Sequence, residues 1–224
     1  MVVGDGATQL VDLSSSTKSC QNWNDYPVIL NYASGSIVSG SPMVCGGWSV
    51  PEQGLSVFHT ECYLLDFEKK SWKFLTNMTS ERNRFASAEV NGSLFVVAGS
   101  YHSTTEYITK NGIVSAGPNL PYPLQGHCMV KLPSGKLMIM GGTAYYDRLN
   151  NVFTLNPHDN SSDTSVPSMI YARQRAGCAI FNSPAHDLRP VVLAVGGMDL
   201  ATAEVFDYTK PSSKWTKSKI NYVF

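Results

Sequence analysis

Apolar runs that stop abruptly at a glycine pair recur along this chain. The interval between them is uneven but stays near ~50 residues, which is typical of an architecture built from repeated four-stranded sheets. LFVVAGS has Ala98 and Gly99 at the same place, and MVVGDG opens the chain with Gly4 and Gly6. Three runs end in a complete glycine pair. They are SPMVCGG with Gly46 and Gly47, KLMIMGG with Gly141 and Gly142, and PVVLAVGG with Gly196 and Gly197.

The segments around each glycine site complete a repeated unit of four short antiparallel strands, a to d. Strand b ends in the glycine pair, and a polar loop leads to strand c. The c candidates are residues 8–13, 60–67, 104–108, 151–155 and 203–208. The a candidates are residues 32–38, 85–90, 126–132 and 176–181. A tryptophan often follows strand c, at Trp23, Trp72 and Trp215.

With these residues in place, the chain resembles a kelch-repeat β-propeller of the kelch-like family. The resemblance covers nearly the whole sequence. It is specific in the second and fifth units, which have the glycine pair, the aromatic and the tryptophan in order, and weaker in the third and fourth. It implies an all-β single domain over 1–224, with four-stranded antiparallel blades around a central channel. The units are roughly 1–27, 28–76, 77–121, 122–167 and 168–224, so about five blades are visible.

The repeated residues have structural reasons to be there. A glycine accepts positive φ where backbones crowd at the end of an inner strand. The uninterrupted apolar runs suit strands that are covered on both faces, as in stacked blades. A tryptophan is large enough to fill the space between neighbouring blades. We therefore interpret these positions as core packing.

The ends of the chain leave two interpretations open. The first unit has no a strand, and the last ends soon after Trp215. Because the family usually has six or seven blades, we favour an incomplete ring over a five-bladed ring closed by the tail or by Met1–Gly4.

Composition argues against several other classes of protein. Lys plus Arg and Asp plus Glu are 17 each, with no basic cluster, so no nucleic-acid partner is expected. Charged residues are 15% and hydrophobic residues 43%, as in a globular chain. No apolar run approaches the ~20 residues of a membrane span. The sequence says nothing about oligomeric state.

Five cysteines bear on the cellular compartment. Cys45 ends strand b and Cys62 begins strand c, so a disulfide across this hairpin is sterically feasible. Cys128 and Cys178 share one slot in strand a, which suggests small buried groups, and Cys20 is unassigned. Three sequons begin at Asn77, Asn91 and Asn160. Together these features favour an extracellular domain over a reducing compartment with five buried thiols.

The b–c and d–a loops must emerge on one face of such a fold, because the strands alternate in direction. These loops carry Tyr, Trp and Arg, the residues that dominate interface hot spots. We expect this loop face to bind a protein or peptide. The alternative is that the arginines pair with Glu81, Glu106 or backbone carbonyls and hold the blades together. The candidate residues are Trp48, Arg82, Arg84, Tyr101, His102, Tyr145, Tyr146, Arg148, Arg173 and Arg175.

Two other functions are weaker on the sequence. Some proteins of this architecture are copper enzymes resembling galactose oxidase, but the five histidines here (His59, His102, His127, His158, His186) show no short ligand spacing. No phosphate loop or nucleophile–base motif occurs either. We predict no catalytic residues, no metal and no cofactor. Many kelch chains resemble substrate receptors of ubiquitin ligases, but the helical domain of such adaptors is not in this sequence.

Overall fold

The structure is a computed structural model that describes residues 2–4, 7–11, 20–51 and 54–218. Over these residues the regular structure is β, apart from one short 3-10 turn at Pro184–His186. No helix in this part of the chain is long and apolar enough to cross a membrane.

The strands form one three-stranded and four four-stranded antiparallel sheets in the described residues. The first sheet contains β1 Val2–Gly4, β2 Ala7–Val11 and β3 Cys20–Trp23. The second contains β4 Ser34–Val38, β5 Ser41–Cys45, β8 Glu61–Asp66 and β9 Ser71–Asn77. Between β5 and β8 lies a small ribbon of β6 Trp48–Ser49 and β7 Val57–Phe58.

The other three sheets repeat the same order. The third contains β10 Ala86–Val90, β11 Ser93–Val97, β12 Thr105–Thr109 and β13 Val114–Ala116. The fourth contains β14 Cys128–Lys131, β15 Leu137–Met140, β18 Val152–Leu155 and β19 Ser162–Asp163, with a ribbon of β16 Thr143–Ala144 and β17 Asp147–Arg148. The fifth contains β20 Gly177–Ser183, β21 Arg189–Val195, β22 Ala203–Phe206 and β23 Thr216–Lys217.

The glycine pairs have the backbone conformation that the sequence predicted. Gly46 and Gly47 have φ of 59° and 93°, and Gly141 and Gly142 have 62° and 95°. A Cβ on Gly141 would lie 2.4 Å from the carbonyl oxygen of Arg173, which belongs to the linker into the next sheet. Gly99, Gly196 and Gly197 also have positive φ. The pair therefore lets two sheets approach closely at the end of strand b.

The sheets stack face to face, and their apolar cores lie between neighbours. The first strands of consecutive sheets, β4, β10, β14 and β20, contact one another in that order. One cluster joins the second and third sheets through Met43, Leu94 and Val96. Two further clusters join the third sheet to the fourth and the fourth to the fifth. This explains why the b strands are uninterrupted apolar runs.

All three tryptophans that follow a strand c contact residues outside their own sheet. Trp23, at the end of β3, packs edge-on against Phe67 after β8, with ring centroids 5.3 Å apart. Trp215 is buried, stacks on Phe206 and donates from Nε1 to the carbonyl of Pro167. Trp72 is buried in β9 and its ring meets that of Tyr26.

A disulfide crosses the second sheet where the sequence placed it. Cys45 and Cys62 are directly paired in the register of β5 and β8, and their sulfur atoms are 2.07 Å apart. Cys128 and Cys178 are free thiols, and the Cys20 side chain lies outside the described part. The sequon residues Asn77, Asn91 and Asn160 are exposed. Their glycosylation and an extracellular location stay predictions.

Candidate functional site

Four equivalent residues form what we call the inner rim: Tyr32, Arg84, Gly126 and Arg175. Each lies two positions before the first strand of its sheet, and each has positive φ, between 54° and 63°. Backbone hydrogen bonds link them in sequence. The amide of Arg84 donates to Tyr32, that of Gly126 to Arg84, and that of Arg175 to Gly126, at 3.1, 2.6 and 2.6 Å. The rim is thus a continuous backbone chain across four sheets.

The residue before each rim position carries an amide side chain and fastens the rim to its own sheet. These residues are Asn31, Asn83, Gln125 and Gln174. Each backbone carbonyl accepts from the amide that follows the glycine site of the same sheet, at 2.8 to 3.0 Å; the donors are Trp48, Ser100, Thr143 and Met198. The b–c loops are therefore anchored directly beside the rim.

The rim side chains converge on one aromatic ring. The guanidinium carbons of Arg84 and Arg175 each lie 4.9 Å from the centroid of Tyr32. Tyr32 belongs to the second sheet and Arg175 to the fifth, so the rim curves back on itself. Nε of Arg84 is buried and has no hydrogen-bond partner among the described residues. Neither guanidinium forms an ion pair with any of them.

A cavity of about 460 Å³ opens beside Arg84, between the loops of the second and third sheets. Three of its lining residues are aromatic: Trp48, Phe58 and Tyr101. The remaining lining residues are polar or charged: Ser56, Glu81, Asn83, Arg84, Ser100 and Gln125. Aromatic side chains beside convergent polar groups are typical of binding sites.

The β6–β7 ribbon holds the aromatic wall in place. Trp48 and Phe58 are directly paired across it, and Trp48 exchanges two backbone hydrogen bonds with Asn31. Behind them, His59 bridges Ser49 and Glu61, at 2.8 and 3.2 Å. Burial raises the pKa of Glu61, but hydrogen bonds from its own backbone and from His59 outweigh it, so the net shift is downward. Glu61 is therefore charged at neutral pH and orients the His59 ring.

One exposed tyrosine, Tyr146, lies next to a residue that lines the cavity. Tyr145 and Tyr146 are 70% and 88% exposed, and the ring of Tyr146 lies 5.9 Å from that of Tyr101. Leu55, in the loop of the second sheet, is 89% exposed. Arg148 donates to Asp199 and to the carbonyl of Met198, which ties the loops of the fourth and fifth sheets together. His102 is half-buried next to Tyr101.

The placement of Arg82 and Arg173 on this binding surface needs correction. Arg82 and Arg173 are 0% and 1% exposed and are salt-bridged to Glu106 and Glu204. Arg82 also donates to the carbonyls of Ala98 and Thr104 and to the Thr104 hydroxyl. Arg173 makes the matching bonds in the fifth sheet. A guanidinium enclosed in this way cannot contact a partner, so these two arginines hold the fold together.

In the second and fourth sheets, apolar residues occupy the positions that correspond to Arg82 and Glu106. Where the third and fifth sheets have Arg and Glu, the second has Leu30 and Tyr63, and the fourth has Leu124 and Phe153. Each apolar pair belongs to one hydrophobic cluster. Ionic and apolar pairs therefore alternate from sheet to sheet.

Tyr32 and Gln125 were not predicted from the sequence, and Glu81 was considered only as an ion-pair partner of the loop arginines, which the structure does not show among the described residues. The signal for Tyr32 was present, because an Asn or Gln precedes all four rim residues at the same distance from strand a. Neither the inward direction of the rim nor the meeting of three of its side chains can be inferred from that spacing.

His127, which follows the rim glycine, is a further polar group without a partner. It is 6% exposed, and neither ring nitrogen has a hydrogen-bond partner among the described residues. Burial lowers its pKa from 6.5 to about 4. In the described part of the chain, no three His, Cys, Asp or Glu side chains are grouped so that they could hold a metal ion.

Comparisons with known proteins bear on the fold alone. No family model and no curated protein matches the sequence. The solved structure of YjhT is similar to this chain with a TM-score of 0.79 at 14% identity, over 97% of this chain and 79% of YjhT. The four-stranded antiparallel sheets and this likeness are consistent with a β-propeller-like fold.

Proposed function

We propose that this chain is a kelch-type β-propeller whose five sheets correspond to blades, and that it is a non-catalytic recognition module. Its partner is a protein or peptide, bound on the loop face. The observation that carries the proposal is the cavity beside Arg84, which is lined by Trp48, Phe58 and Tyr101 and has the exposed ring of Tyr146 next to Tyr101.

The surrounding loops supply the area that a macromolecular partner needs. Leu55, Tyr145 and Tyr146 keep most of their surface in solvent, on loops anchored at both ends to rigid strands. Exposed aromatic side chains add large contact area at low entropic cost. A cavity with such a border suits a peptide that inserts one side chain and lies across the loops.

The test is selection of peptides from a displayed random library against the folded protein, followed by binding measurements on two matched variants. Leu55→Ser with Tyr146→Ser removes two apolar groups from the loop face. Ile113→Ser with Leu188→Ser removes two exposed apolar groups from the c–d and a–b turns, at the opposite ends of the strands.

We expect the selected peptides to bind the loop-face variant at least about tenfold more weakly, since each lost apolar contact costs on the order of 1 kcal/mol. Binding to the control variant should be unchanged. Equal binding to all three proteins, or no selectable peptide, would contradict the proposal. Matching thermal melts establish that both variants are folded.

A further inference from the structure

We propose that the inner rim is a binding site for a carboxylate, which inserts between Arg84 and Arg175. This inference specifies the chemistry of the partner and rests on the proposed function. The carboxylate comes either from an acidic side chain of the bound peptide or from its free C-terminus.

Arg84 and Arg175 carry positive charge that no ion pair with a described carboxylate balances. Both guanidinium carbons lie 4.9 Å from one ring centroid, so they are at most twice that distance apart. The other arginines with described side-chain contacts each have an acid: Arg82 has Glu106, Arg148 has Asp199, Arg173 has Glu204 and Arg189 has Asp187. Two like charges held together without a counter-ion create a local field that favours an anion.

Tyr32 holds the two arginines by cation–π contacts. A guanidinium over an aromatic ring gains about 0.5–1 kcal/mol at an exposed site. A π contact supplies no lone-pair acceptor, so the N–H donors of each guanidinium can still bind a carboxylate in a fork. In addition, Nε of Arg84 is buried without a partner. A buried donor of this kind gains more from an acceptor than one that water already satisfies.

The rim has no side chain at its third position. Gly126 lies between Arg84 and Arg175 in the rim and contributes no side chain. A Cβ built on Gly126 would meet nothing closer than Cγ and N of Arg175, both at 3.7 Å. A group placed at this position of the rim therefore contacts Arg175 without a clash. Arg84 also lines the aromatic cavity, so a peptide can place its carboxylate at the rim and a neighbouring group in the cavity.

Glu81 is the one carboxylate among the residues that line the cavity, and it is exposed. It forms no ion pair with a described residue. Its charge repels an anion from that side. The carboxylate is thereby directed to the rim, where it also meets Arg175.

The test uses three small probes and calorimetry at low salt. N-acetylglutamate methylamide has only a side-chain carboxylate. N-acetylglutamine has only a C-terminal carboxylate. N-acetylglutamine methylamide has neither. We expect one of the first two to bind about tenfold more tightly than the third, as for a charge-assisted hydrogen bond, and to weaken in high salt. The probe that binds identifies the source of the carboxylate.

Variants locate the site. Arg84→Gln and Arg175→Gln should each remove the preference, whereas Lys110→Gln makes the same charge change in an exposed c–d turn and should not. Gly126→Asp should fill the site with its own carboxylate. Gly126→Asn has the same shape and also tolerates positive φ, so it should retain more binding than Gly126→Asp.

Equal affinity for the three probes, or a carboxylate preference that survives both arginine variants, would overturn the inference. That outcome is separate from the peptide selection. Peptides that bind the loop face without needing Arg84 or Arg175 would leave the proposed function intact and refute the carboxylate site. If probe binding depends on both arginines but no peptide can be selected, the carboxylate site is supported and the proposed function is refuted.

Discussion

Arg82 donates from Nε and from one terminal nitrogen to the same oxygen of Glu106, at 3.0 and 2.6 Å, in a site that water does not reach. The other oxygen of Glu106 accepts from the backbone amide of Thr79. The pair therefore fastens the linker between the second and third sheets to strand β12.

Replacement of Arg82 by Leu should destabilise the fold strongly, by about 3–5 kcal/mol, because Glu106 would be buried without its partner. The double variant Arg82→Leu, Glu106→Phe copies the pair in the fourth sheet, Leu124 and Phe153, and should recover most of the loss. The measurement is the free energy of unfolding in urea. A double variant no more stable than the single one would refute this account, and the exposed Arg148→Gln should cost less than about 1 kcal/mol.

Alanine at the first glycine of a pair should have different effects in different sheets. The third sheet already has Ala98 in this slot, with φ of 56°. At Gly196 an added Cβ would meet only the Leu200 carbonyl at 3.7 Å, so Gly196→Ala should cost about 1–2 kcal/mol from backbone strain alone. Gly141→Ala adds a clash at 2.4 Å with the Arg173 carbonyl and should cost about 2 kcal/mol more. Equal losses in thermal melts of the two variants would contradict this.

His127 should make the fold sensitive to mild acid. Its pKa falls from 6.5 to about 4 on burial, so between these values the unfolded chain holds more protons than the folded one. The free energy of unfolding is therefore unaffected by this titration above about pH 6.5. It falls as the pH drops toward 4, by about 3 kcal/mol in total. His127→Leu cannot titrate. Unfolding free energies measured from pH 7 downward should show wild type losing more stability than the variant, and parallel curves would contradict the prediction.

The disulfide between Cys45 and Cys62 should stabilise the protein against unfolding, and reductant should act on stability through this bond alone. Cys45 and Cys62 are 17 residues apart in sequence, and a loop of this length gives about 3 kcal/mol when closed. Reductant should lower the urea midpoint of the wild type. It should leave the midpoint of a Cys45→Ala, Cys62→Ala double variant unchanged. A shift in the double variant would point to another cysteine.

The strands and glycine pairs could be predicted because each depends on a short pattern. Gly141 ends an apolar run whatever lies elsewhere in the chain, and Cys45 and Cys62 face each other because they end and begin two strands of one hairpin. Both features follow from neighbours within one unit. The architecture of each sheet was accessible for the same reason.

The pairing of Arg82 with Glu106 was predicted only as the alternative to partner binding, and the structure bears out that alternative. A loop arginine is normally exposed, and its burial here depends on Glu106 in β12, the third strand after the loop. The unit that explains it is Arg, then Thr-x-Glu at the start of strand c, and Arg173 with Glu204 repeats it. Tyr32 depends on a meeting of three sheets, which no single unit encodes.

The alternation of ionic and apolar pairs also bears on how a chain of similar units folds in the right order. A linker that docks on the sheet one unit away would set Arg82 against Tyr63 or Phe153, or Leu124 against Glu106 or Glu204. Each error buries a charge without its partner, at a cost of several kcal/mol. Adjacent repeats are therefore not chemically interchangeable. Two side chains per sheet disfavour any pairing of linker and sheet that is shifted by one unit.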